Sequence, residues 1–239
     1  MYHSPILEKP QSEPCLSLGF DTIDRLFSGF MLGDFAVILG SSAVNSLLPS
    51  VCVRAQLPYQ LGGLETNVLF VDGANSFRLY DTSHVAQMWE LDPKHVLERI
   101  YVSRAFTAYQ LVSIILDKLQ TAVTKYDSKV VIVSNLSQLF LDKDIPKKEA
   151  EQLFNQLTDY LSAFAEENQV ILIVTHRPCR WSKRTKFFKQ TLCESANVVL
   201  SIKKSNQIPY FALEKHPFLQ LGRTEFPSSK CTLLDFVKG

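Results

Sequence analysis

Residues 35–47 read Phe35-Ala36-Val37-Ile38-Leu39-Gly40-Ser41-Ser42-Ala43-Val44-Asn45-Ser46-Leu47. The apolar run indicates a buried strand, the small residues after it a tight turn, and the remainder the start of a helix. A phosphate-binding loop occurs in this setting, and it needs glycines, a lysine for the β- and γ-phosphates and a Ser or Thr for magnesium. Gly40 has the required spacing, but Ser46 stands at the lysine position and Leu47 at the magnesium position. The segment therefore predicts the frame of a nucleotide site without its reactive groups.

The rest of the chain alternates short apolar runs with amphipathic segments. We predict strands over 35–39, 67–71, 100–103, 129–133 and 170–175, and helices over 44–60, 82–91, 93–99, 108–125 and 146–167. This alternation is typical of an α/β fold with a mostly parallel central sheet covered by helices on both faces. The final predicted strands, 197–202, 210–213 and 232–236, have no helices between them. We expect them to pair antiparallel and to extend one edge of the sheet.

Composition sets the domain organisation and limits the partners. The chain has 239 residues, of which 46% are apolar and 21% charged, as in an ordinary globular protein. We predict an irregular N-terminal arm over 1–14, which holds three prolines, and a single core domain over 15–239. The net charge of +1 excludes a general attraction to polyanions, so any nucleic-acid site must be a local patch.

The cysteines and the hydropathy pattern indicate an intracellular protein. Five cysteines lie far apart without a CxxC pair, which favours reduced thiols and no zinc site. No apolar run approaches the roughly 18–20 residues of a membrane span, and the N-terminus lacks a signal-peptide core. We expect a cytoplasmic or nuclear location and no membrane partner.

Several segments resemble one family in order and with matching spacing. Ser17-Leu18-Gly19-Phe20-Asp21-Thr22-Ile23-Asp24-Arg25-Leu26, followed by Gly29 and Gly33, resembles the entry segment of the RecA/RadA recombinase core and its KaiC-like relatives. The segments 68–72, 91–93, 100–105 and 215–217 resemble later parts of that core. The resemblance covers about residues 17–220 and fits RadA-type paralogs of archaea and eukaryotes better than bacterial RecA. It implies a RecA-like P-loop NTPase core with a C-terminal antiparallel extension.

The resemblance places the family's catalytic positions on residues of other types. The P-loop lysine falls on Ser46, the following threonine on Leu47, and two loop glycines on Ala43 and on Val44 or Asn45. The water-activating glutamate falls near Ala74, the magnesium-side aspartate on Ser134 and the γ-phosphate-sensing glutamine near Arg177. The degenerate site would then comprise Gly40, Ser41, Ser42, Ala43, Val44, Asn45, Ser46, Leu47, Ala74 and Ser134.

These replacements remove each part of the ATPase chemistry. ATP would have no local countercharge, magnesium no protein ligand and the attacking water no general base. We therefore expect no ATP hydrolysis, no bound cofactor and no metal. Weak ATP binding without hydrolysis stays open, as does an ordinary strand–turn–helix with no ancestral site.

The most basic stretch, residues 176–189, directly follows the predicted strand at 170–175. Its cations are Arg177, Arg180, Lys183, Arg184, Lys186 and Lys189, and Trp181, Phe187 and Phe188 lie among them. The stretch begins at the carboxyl end of the sheet, where α/β folds place ligands. In the RecA-like proteins that it resembles, this loop faces DNA. Cations can track phosphates and aromatic rings can stack on unpaired bases, so single-stranded DNA is one candidate ligand. A protein partner and a solvated loop whose aromatic residues pack on the core are the alternatives.

Three functions remain open from the sequence. The first is a non-catalytic RecA/RadA paralog that assists DNA recombination or repair by binding single-stranded DNA, a recombinase of that family or another copy of itself. The second is a KaiC-like regulatory or scaffold protein that acts only through protein contacts, and the third is an enzyme with relocated nucleotide chemistry.

Phe106-Thr107-Ala108 loosely resembles a Phe-x-x-Ala polymerisation motif, but we expect Phe106 to pack in the core.

Overall fold

The structure is a computed structural model that describes residues 14–40, 42–177, 182–205 and 208–226. Its strands are β1 (Cys15–Leu16), β2 (Phe30–Met31), β3 (Phe35–Gly40), β4 (Asn67–Asp72), β5 (Ile100–Arg104), β6 (Ser128–Ser134), β7 (Ile171–His176), β8 (Val198–Ser205), β9 (Ile208–Lys215) and β10 (Gly222–Glu225). Its α-helices are α1 (Asp21–Asp24), α2 (Ser42–Arg54), α3 (Leu79–Met88), α4 (Pro93–Glu98), α5 (Ala108–Ser113), α6 (Leu119–Tyr126), α7 (Lys147–Glu167) and α8 (Lys183–Ser195).

The central sheet has eight strands in the order β10-β9-β8-β3-β7-β6-β4-β5. The strands from β8 to β5 in this order run parallel, whereas β9 and β10 add antiparallel strands beyond β8. The prediction of a mostly parallel sheet with a C-terminal antiparallel extension is therefore confirmed. The third antiparallel strand is β10, and the strand predicted over 232–236 lies outside the described residues, as does nearly all of the predicted arm.

Apolar side chains cover both faces of the sheet, since successive residues of a strand point to opposite faces. On one face, Ile38 of β3 belongs to the same apolar cluster as Leu48 and Val51 of α2. On the other face, Val37 of β3 clusters with residues of α7 and α8 such as Phe154 and Leu192. The site at the carboxyl ends of the strands is thus positioned by two continuous cores.

Two helix predictions are corrected by the structure. The predicted helix over 44–60 begins at Ser42 and ends at Arg54. It ends there because the chain turns back toward β4, with Pro58 leading into a 3₁₀ turn (Tyr59–Leu61) and Gly62 adopting a left-handed φ of 71°. The second half of the basic stretch, predicted as a loop, forms helix α8 instead.

The helix predicted over 108–125 is confirmed with one irregularity. A π-helical turn (Ile114–Lys118) joins α5 to α6, and the segment ends at Tyr126, where Asp127 takes a left-handed φ of 45°. Across the described residues we find no helix of the length and hydropathy that a membrane crossing requires.

Candidate functional site

The carboxyl ends of β4, β6 and β7 bring buried polar side chains together. Asp72 ends β4, Ser134 ends β6, and Thr175 and His176 end β7. All four are at most 1% exposed. Because parallel strands place their carboxyl ends at one edge of the sheet, these residues lie at the same end of the sheet although they are far apart in the sequence. Asp72 and Ser134 form a polar cluster there.

The centre of this cluster is the Asp72 carboxylate. Its Oδ1 accepts hydrogen bonds from the N–H groups of Ala74 (3.3 Å) and Ser76 (2.8 Å), and from the hydroxyls of Ser76 (3.1 Å) and Ser134 (2.9 Å). Its Oδ2 accepts from the N–H of Phe77 (3.1 Å). Burial raises the pKa of Asp72, but these hydrogen bonds outweigh burial and hold the pKa below its ordinary value. The carboxylate is therefore ionised at neutral pH and is occupied by donors of the chain itself.

Arg104, at the end of β5, supplies a cation on the outer side of Asp72. Its Nε lies 3.6 Å from Asp72 Oδ2, and its side chain is 41% exposed. This ion pair links the edge strand β5 to the centre of the cluster and balances the buried charge.

The loop after β6 is tied to β7. The N–H of Asn135, which adopts a left-handed φ of 49°, donates to Thr175 Oγ1 at 2.8 Å. The next residue, Leu136, donates its N–H to the Thr175 carbonyl at 3.2 Å. These two hydrogen bonds hold the backbone after Ser134 against the end of β7.

His176 is buried on the other face of the sheet. Its Nδ1 lies 2.7 Å from Ser137 Oγ, and the two atoms share a hydrogen bond. Burial, together with the charge of nearby Lys189, lowers the pKa of His176 to about 4. The imidazole is therefore neutral at pH 7, and its side chain lies in the core.

Strand β3 ends at Gly40, and helix α2 follows it closely. A Cβ added at Gly40 would lie 2.6 Å from the carbonyl oxygen of Ile202, so this position accepts no side chain without a shift. Ser41 lies outside the described residues, and α2 begins at the next residue. Ser42, Ala43 and Asn45 belong to α2.

Two residues in the first turns of α2 pack in the core. Val44 is 1% exposed and Leu47 is 2% exposed, and both belong to the apolar cluster beneath α2. Ser46 is exposed. Leu47, which the resemblance places at the magnesium position, thus has no oxygen that could bind a cation and packs among apolar neighbours.

The two remaining residues that the resemblance assigns to the nucleotide site lie beside Asp72. Ala74 is half-buried, and its methyl group has no acid–base chemistry. Ser134 is fully buried, and its hydroxyl donates to Asp72. The structure therefore brings Ala74 and Ser134 together around Asp72, which the sequence analysis had left out of the site. No local motif could have revealed this, since Ser134 lies 62 residues from Asp72.

The basic stretch is divided between a segment outside the described residues and a helix. Arg177 follows β7, is half-buried and makes a contact, whereas Arg180 and Trp181 lie outside the described residues. Helix α8 begins after Ser182, whose Oγ accepts from the N–H of Thr185 at 3.1 Å. This capping interaction explains why the helix starts within the basic run.

The basic side chains of α8 differ in what they contact. Lys183 and Lys186 are exposed, and Lys189 is half-buried. Arg184 turns inward, where it donates to the carbonyl oxygens of Asp142 and Ile145, at 3.2 Å in each case. The lysines are therefore available to an anion, whereas Arg184 is engaged with the chain itself.

The aromatic residues of α8 pack on the core. Phe188 is fully buried, with its ring centroid 4.4 Å from that of Phe154 and 6.0 Å from that of Phe140. Phe187 is half-buried and packs against the same cluster. For these two rings the core-packing alternative is confirmed, since a buried ring cannot stack on a base.

Phe106 corrects another expectation. It follows β5 and is 72% exposed, although the sequence favoured a place in the core. Its N–H donates to Gln110 Oε1 at 2.8 Å, and Thr107 caps α5 by accepting from the N–H of Gln110 at 3.2 Å. The capped turn directs Phe106 outward and leaves Ala108 to fill the core.

Beside Phe106, strand β5 forms one edge of the sheet. Within the part of the chain that the structure describes, β5 pairs with β4 alone. A cavity of about 180 Å³ opens next to it, lined by residues that include Val71, Val102 and Leu119. An exposed strand edge next to an apolar cavity is suited to accept an extended segment of another protein.

Comparison with known proteins agrees with this architecture. The family model described as Rad51 matches residues 15–189. The DNA repair and recombination protein RadA of Aeropyrum pernix is 29% identical over 160 residues, which are 65% of this chain and 46% of RadA. The meiotic recombination protein DMC1 of Saccharomyces cerevisiae is 24% identical over 168 residues, 68% of this chain and 50% of DMC1. The chain thus spans about half the length of the curated relatives it matches.

The resemblance to the RecA/RadA superfamily inferred from the sequence is confirmed by these matches. The Rad51 match runs from the residue that begins β1 into helix α8, and so includes β3, β4, β6 and β7. Because the family model covers well over half of the sequence, this chain belongs to the Rad51 family.

Proposed function

We propose that this chain is a non-catalytic member of the Rad51 family that assists DNA recombination or repair by binding single-stranded DNA, a recombinase of its family, or both. The observation that carries the proposal concerns Leu47 and Ser134, the two residues that the resemblance places at the positions of magnesium ligands. Leu47 is packed in the core, and Ser134 is hydrogen-bonded to Asp72. These residues do not fit a magnesium–nucleotide complex, which needs oxygen ligands from the protein or its bound waters.

The surroundings of the site support the same conclusion. Asp72 is the nearest carboxylate, but its oxygens already accept five hydrogen bonds from the chain. Ala74, at the position of the water-activating residue, has no group that accepts a proton. A general base needs a lone pair within reach of water. Ala74 has none, and the Asp72 carboxylate is fully buried among donors of the chain.

The DNA part of the proposal is supported by the names of the relatives and by the basic face of α8. RadA and DMC1 are named as a DNA repair and recombination protein and a meiotic recombination protein. Lys183 and Lys186 are exposed on α8, and no acid occurs between residues 177 and 193. Such a local positive patch binds phosphates through counterion release even when the net charge of the chain is near zero.

The recombinase part is supported by the β5 edge. Strand β5 offers unpaired backbone groups among the described residues, an adjacent apolar cavity and the exposed ring of Phe106. An extended segment of a partner that adds to β5 would place an apolar side chain in the cavity. This surface lies apart from the basic face of α8, so the two ligands need not compete.

Calorimetric titration with magnesium–ATP and a phosphate-release assay test the non-catalytic part. We expect no phosphate release and no heat of binding at micromolar protein concentration. An active Rad51-family recombinase, assayed in parallel, shows that the conditions support hydrolysis. Micromolar ATP binding that is abolished by Ser46→Trp would contradict the proposal, since it would show a working pocket.

Binding of labelled single-stranded DNA tests the DNA part. Lys183→Ala and Lys186→Ala should each weaken binding and reduce the slope of log affinity against log salt by about 0.7. The matched control is Lys94→Ala, because Lys94 is an exposed lysine of α4 that forms an ion pair with Glu98. Unchanged affinity and slope in both α8 variants would exclude this surface as the DNA site.

Capture of partners from a native lysate tests the recombinase part. Recovery of a Rad51-family recombinase supports the proposal. Recovery of a signalling or transcription component without a recombinase and without DNA binding would favour the regulatory or scaffold alternative.

A further inference from the structure

The loop between β9 and β10, residues 216–221, holds exposed apolar side chains. Phe218 is 86% exposed and Leu221 is 54% exposed, whereas Leu219 between them packs against the apolar cluster beneath α2. Apolar burial stabilises a conformation in proportion to the area that it removes from water. The two exposed side chains therefore contribute little to the shape of this loop, which depends on polar contacts.

One ring nitrogen of His216 supplies these polar contacts. Its Nδ1 accepts hydrogen bonds from the N–H groups of Phe218 (3.1 Å) and Leu219 (3.0 Å). Pro217 has no N–H group, so these are the first two backbone donors after His216. An imidazole nitrogen accepts a hydrogen bond only while it carries no proton. The geometry therefore requires the neutral tautomer that has its proton on Nε2.

The ring of His216 is half-buried against the segment that leads into β2. Its centroid lies 6.0 Å from that of Phe27, which is fully buried, and 6.3 Å from that of Phe218. The contact with Phe27 belongs to the core rather than to the loop. It therefore fixes where the acceptor nitrogen lies.

Two charged residues adjoin His216. Asp34, in the turn before β3, is buried, and its carboxylate favours the protonated imidazole. The ammonium of Lys215 is engaged with α8, where it donates to the carbonyl oxygens of Cys193 (3.1 Å) and Glu194 (3.0 Å). Burial lowers the pKa of His216 below its ordinary value, and Asp34 opposes this shift only in part. The ring is therefore mainly neutral at pH 7, as its two hydrogen bonds require.

We infer that His216 is a proton-operated switch for the loop over residues 216–221. In the neutral state, Nδ1 holds the N–H groups of Phe218 and Leu219. When Nδ1 takes a proton from solvent, it loses its lone pair and both N–H groups lose their acceptor. The loop is then released together with the exposed ring of Phe218, while β9 and β10 stay paired. This inference does not depend on the proposed binding of DNA or of a recombinase.

The direction of the pH dependence follows from the two states of the loop. In the released loop, the pKa of His216 returns to its ordinary value of about 6.5, which is above its pKa in the closed loop. The contribution of the two hydrogen bonds to the closed loop is therefore complete above about pH 6.5. It is lost as the pH falls through the lower pKa of the closed state.

Nitrogen NMR and amide hydrogen exchange on the full chain test the switch. At neutral pH, the His216 side chain should show the tautomer protonated on Nε2. Exchange rates of the Phe218 and Leu219 amides, corrected for the intrinsic effect of pH, give their protection. Between about pH 7.5 and pH 5 this protection should fall about tenfold, since two hydrogen bonds are lost. The amide of Val174 in the central strand β7 serves as the reference for global unfolding.

Two variants separate the acceptor from its titration. His216→Asn keeps a side-chain oxygen that can accept from the backbone two residues on, but it does not titrate, so protection should persist at both pH values. His216→Ala has no acceptor, so protection should be low at both. The matched control is His95→Asn, at an exposed histidine of α4, which should retain the wild-type pH dependence. Circular dichroism shows whether each variant is folded, and the wild-type measurements need no variant.

Three results would overturn the inference. A wild-type His216 protonated on Nδ1 at neutral pH could not accept the two hydrogen bonds. Protection of Phe218 and Leu219 that is the same at both pH values would show that protonation does not release the loop. A wild-type loss of protection in His216→Asn at low pH would assign the effect to another titrating group.

Discussion

Ser134 Oγ lies 2.9 Å from Asp72 Oδ1 and donates a hydrogen bond to it across the carboxyl ends of adjacent strands. Both residues are fully buried. The resemblance places a magnesium-side aspartate at position 134. An aspartate there would face the Asp72 carboxylate, whereas the Ser134 hydroxyl donates a hydrogen bond to it. A buried hydrogen bond to a charged acceptor contributes about 1.5–3 kcal/mol to stability. The arrangement therefore favours folding at a position where an ATPase needs charge.

Ser134→Asp should destabilise the protein by about 3 kcal/mol at pH 7, because two buried carboxylates would repel each other. The repulsion raises the folded-state pKa of one carboxyl, so the penalty should decrease as the pH falls and that carboxyl is protonated. Urea unfolding at several pH values measures both effects. Ser134→Ala is the control and should cost about 1.5–3 kcal/mol, the contribution of the lost hydrogen bond. Stabilisation of Ser134→Asp by magnesium would contradict this prediction.

Restoring P-loop residues in α2 should cost stability without producing catalysis. Leu47→Thr should lose about 2 kcal/mol, since it removes apolar contacts and buries a hydroxyl, whereas exposed Ser46→Lys should change stability by less than about 0.5 kcal/mol. The double variant should release no phosphate from ATP, because Ala74 and Ser134 are unchanged. Leu47→Met conserves volume and should cost less than about 1.5 kcal/mol. Phosphate release by the double variant would show that the site lacks only those two groups.

His176 should make stability depend on pH in the acidic range. Its pKa is about 4 in the folded state and about 6.5 when unfolded, so the unfolded chain binds more protons between these values. The contribution of His176 to the free energy of unfolding is therefore complete above pH 6.5, and about 3 kcal/mol of it is lost as the pH decreases to 4. His176→Gln should remove this part of the profile in urea unfolding, whereas His84→Gln, at an exposed histidine of α3, should retain it. Identical profiles for wild type and His176→Gln would refute the prediction.

Phe106→Ser separates binding from stability. Because Phe106 is 72% exposed, the substitution should change the free energy of unfolding by less than about 0.5 kcal/mol. If the β5 edge holds a recombinase, the affinity for that partner should fall about tenfold, since exposed aromatic anchors dominate binding energy. The matched control is Phe218→Ser, at a ring that is 86% exposed in the loop after β9. Equal losses in the two variants would argue against a role for the β5 edge.

The order of strands and helices was predictable because the signals are local. The parallel strands are near-continuous apolar runs such as residues 130–133 and 171–174, which only a buried strand accommodates here. Strand β10 was missed because its residues, Gly222–Glu225, are mostly exposed and none of them is apolar. Helix α8 did leave a signal, the spacing of Thr185, Phe188 and Leu192, but the run of cations obscured it.

The site was only partly predictable, because its contacts join distant parts of the chain. The sequence identified Leu47 and Ser134 as replacements but could not say what each side chain contacts instead. The bonds of Asp72 to Ser134 and of Arg184 to Ile145 depend on how β4, β6 and α8 are placed in space. The outward orientation of Phe106 depends on the turn capped by Thr107, which overrides the apolar character of the ring.

The hydrogen bonds that Asp72 accepts from residues 74–77 tie that loop to the end of β4. In a protein that hydrolyses ATP, a loop near the γ-phosphate can change shape when that phosphate leaves, and this change limits how long a complex lasts. Under the proposed function, this loop undergoes no such change. The time this protein spends on a filament would then be set by its dissociation rate and by the turnover of its neighbours.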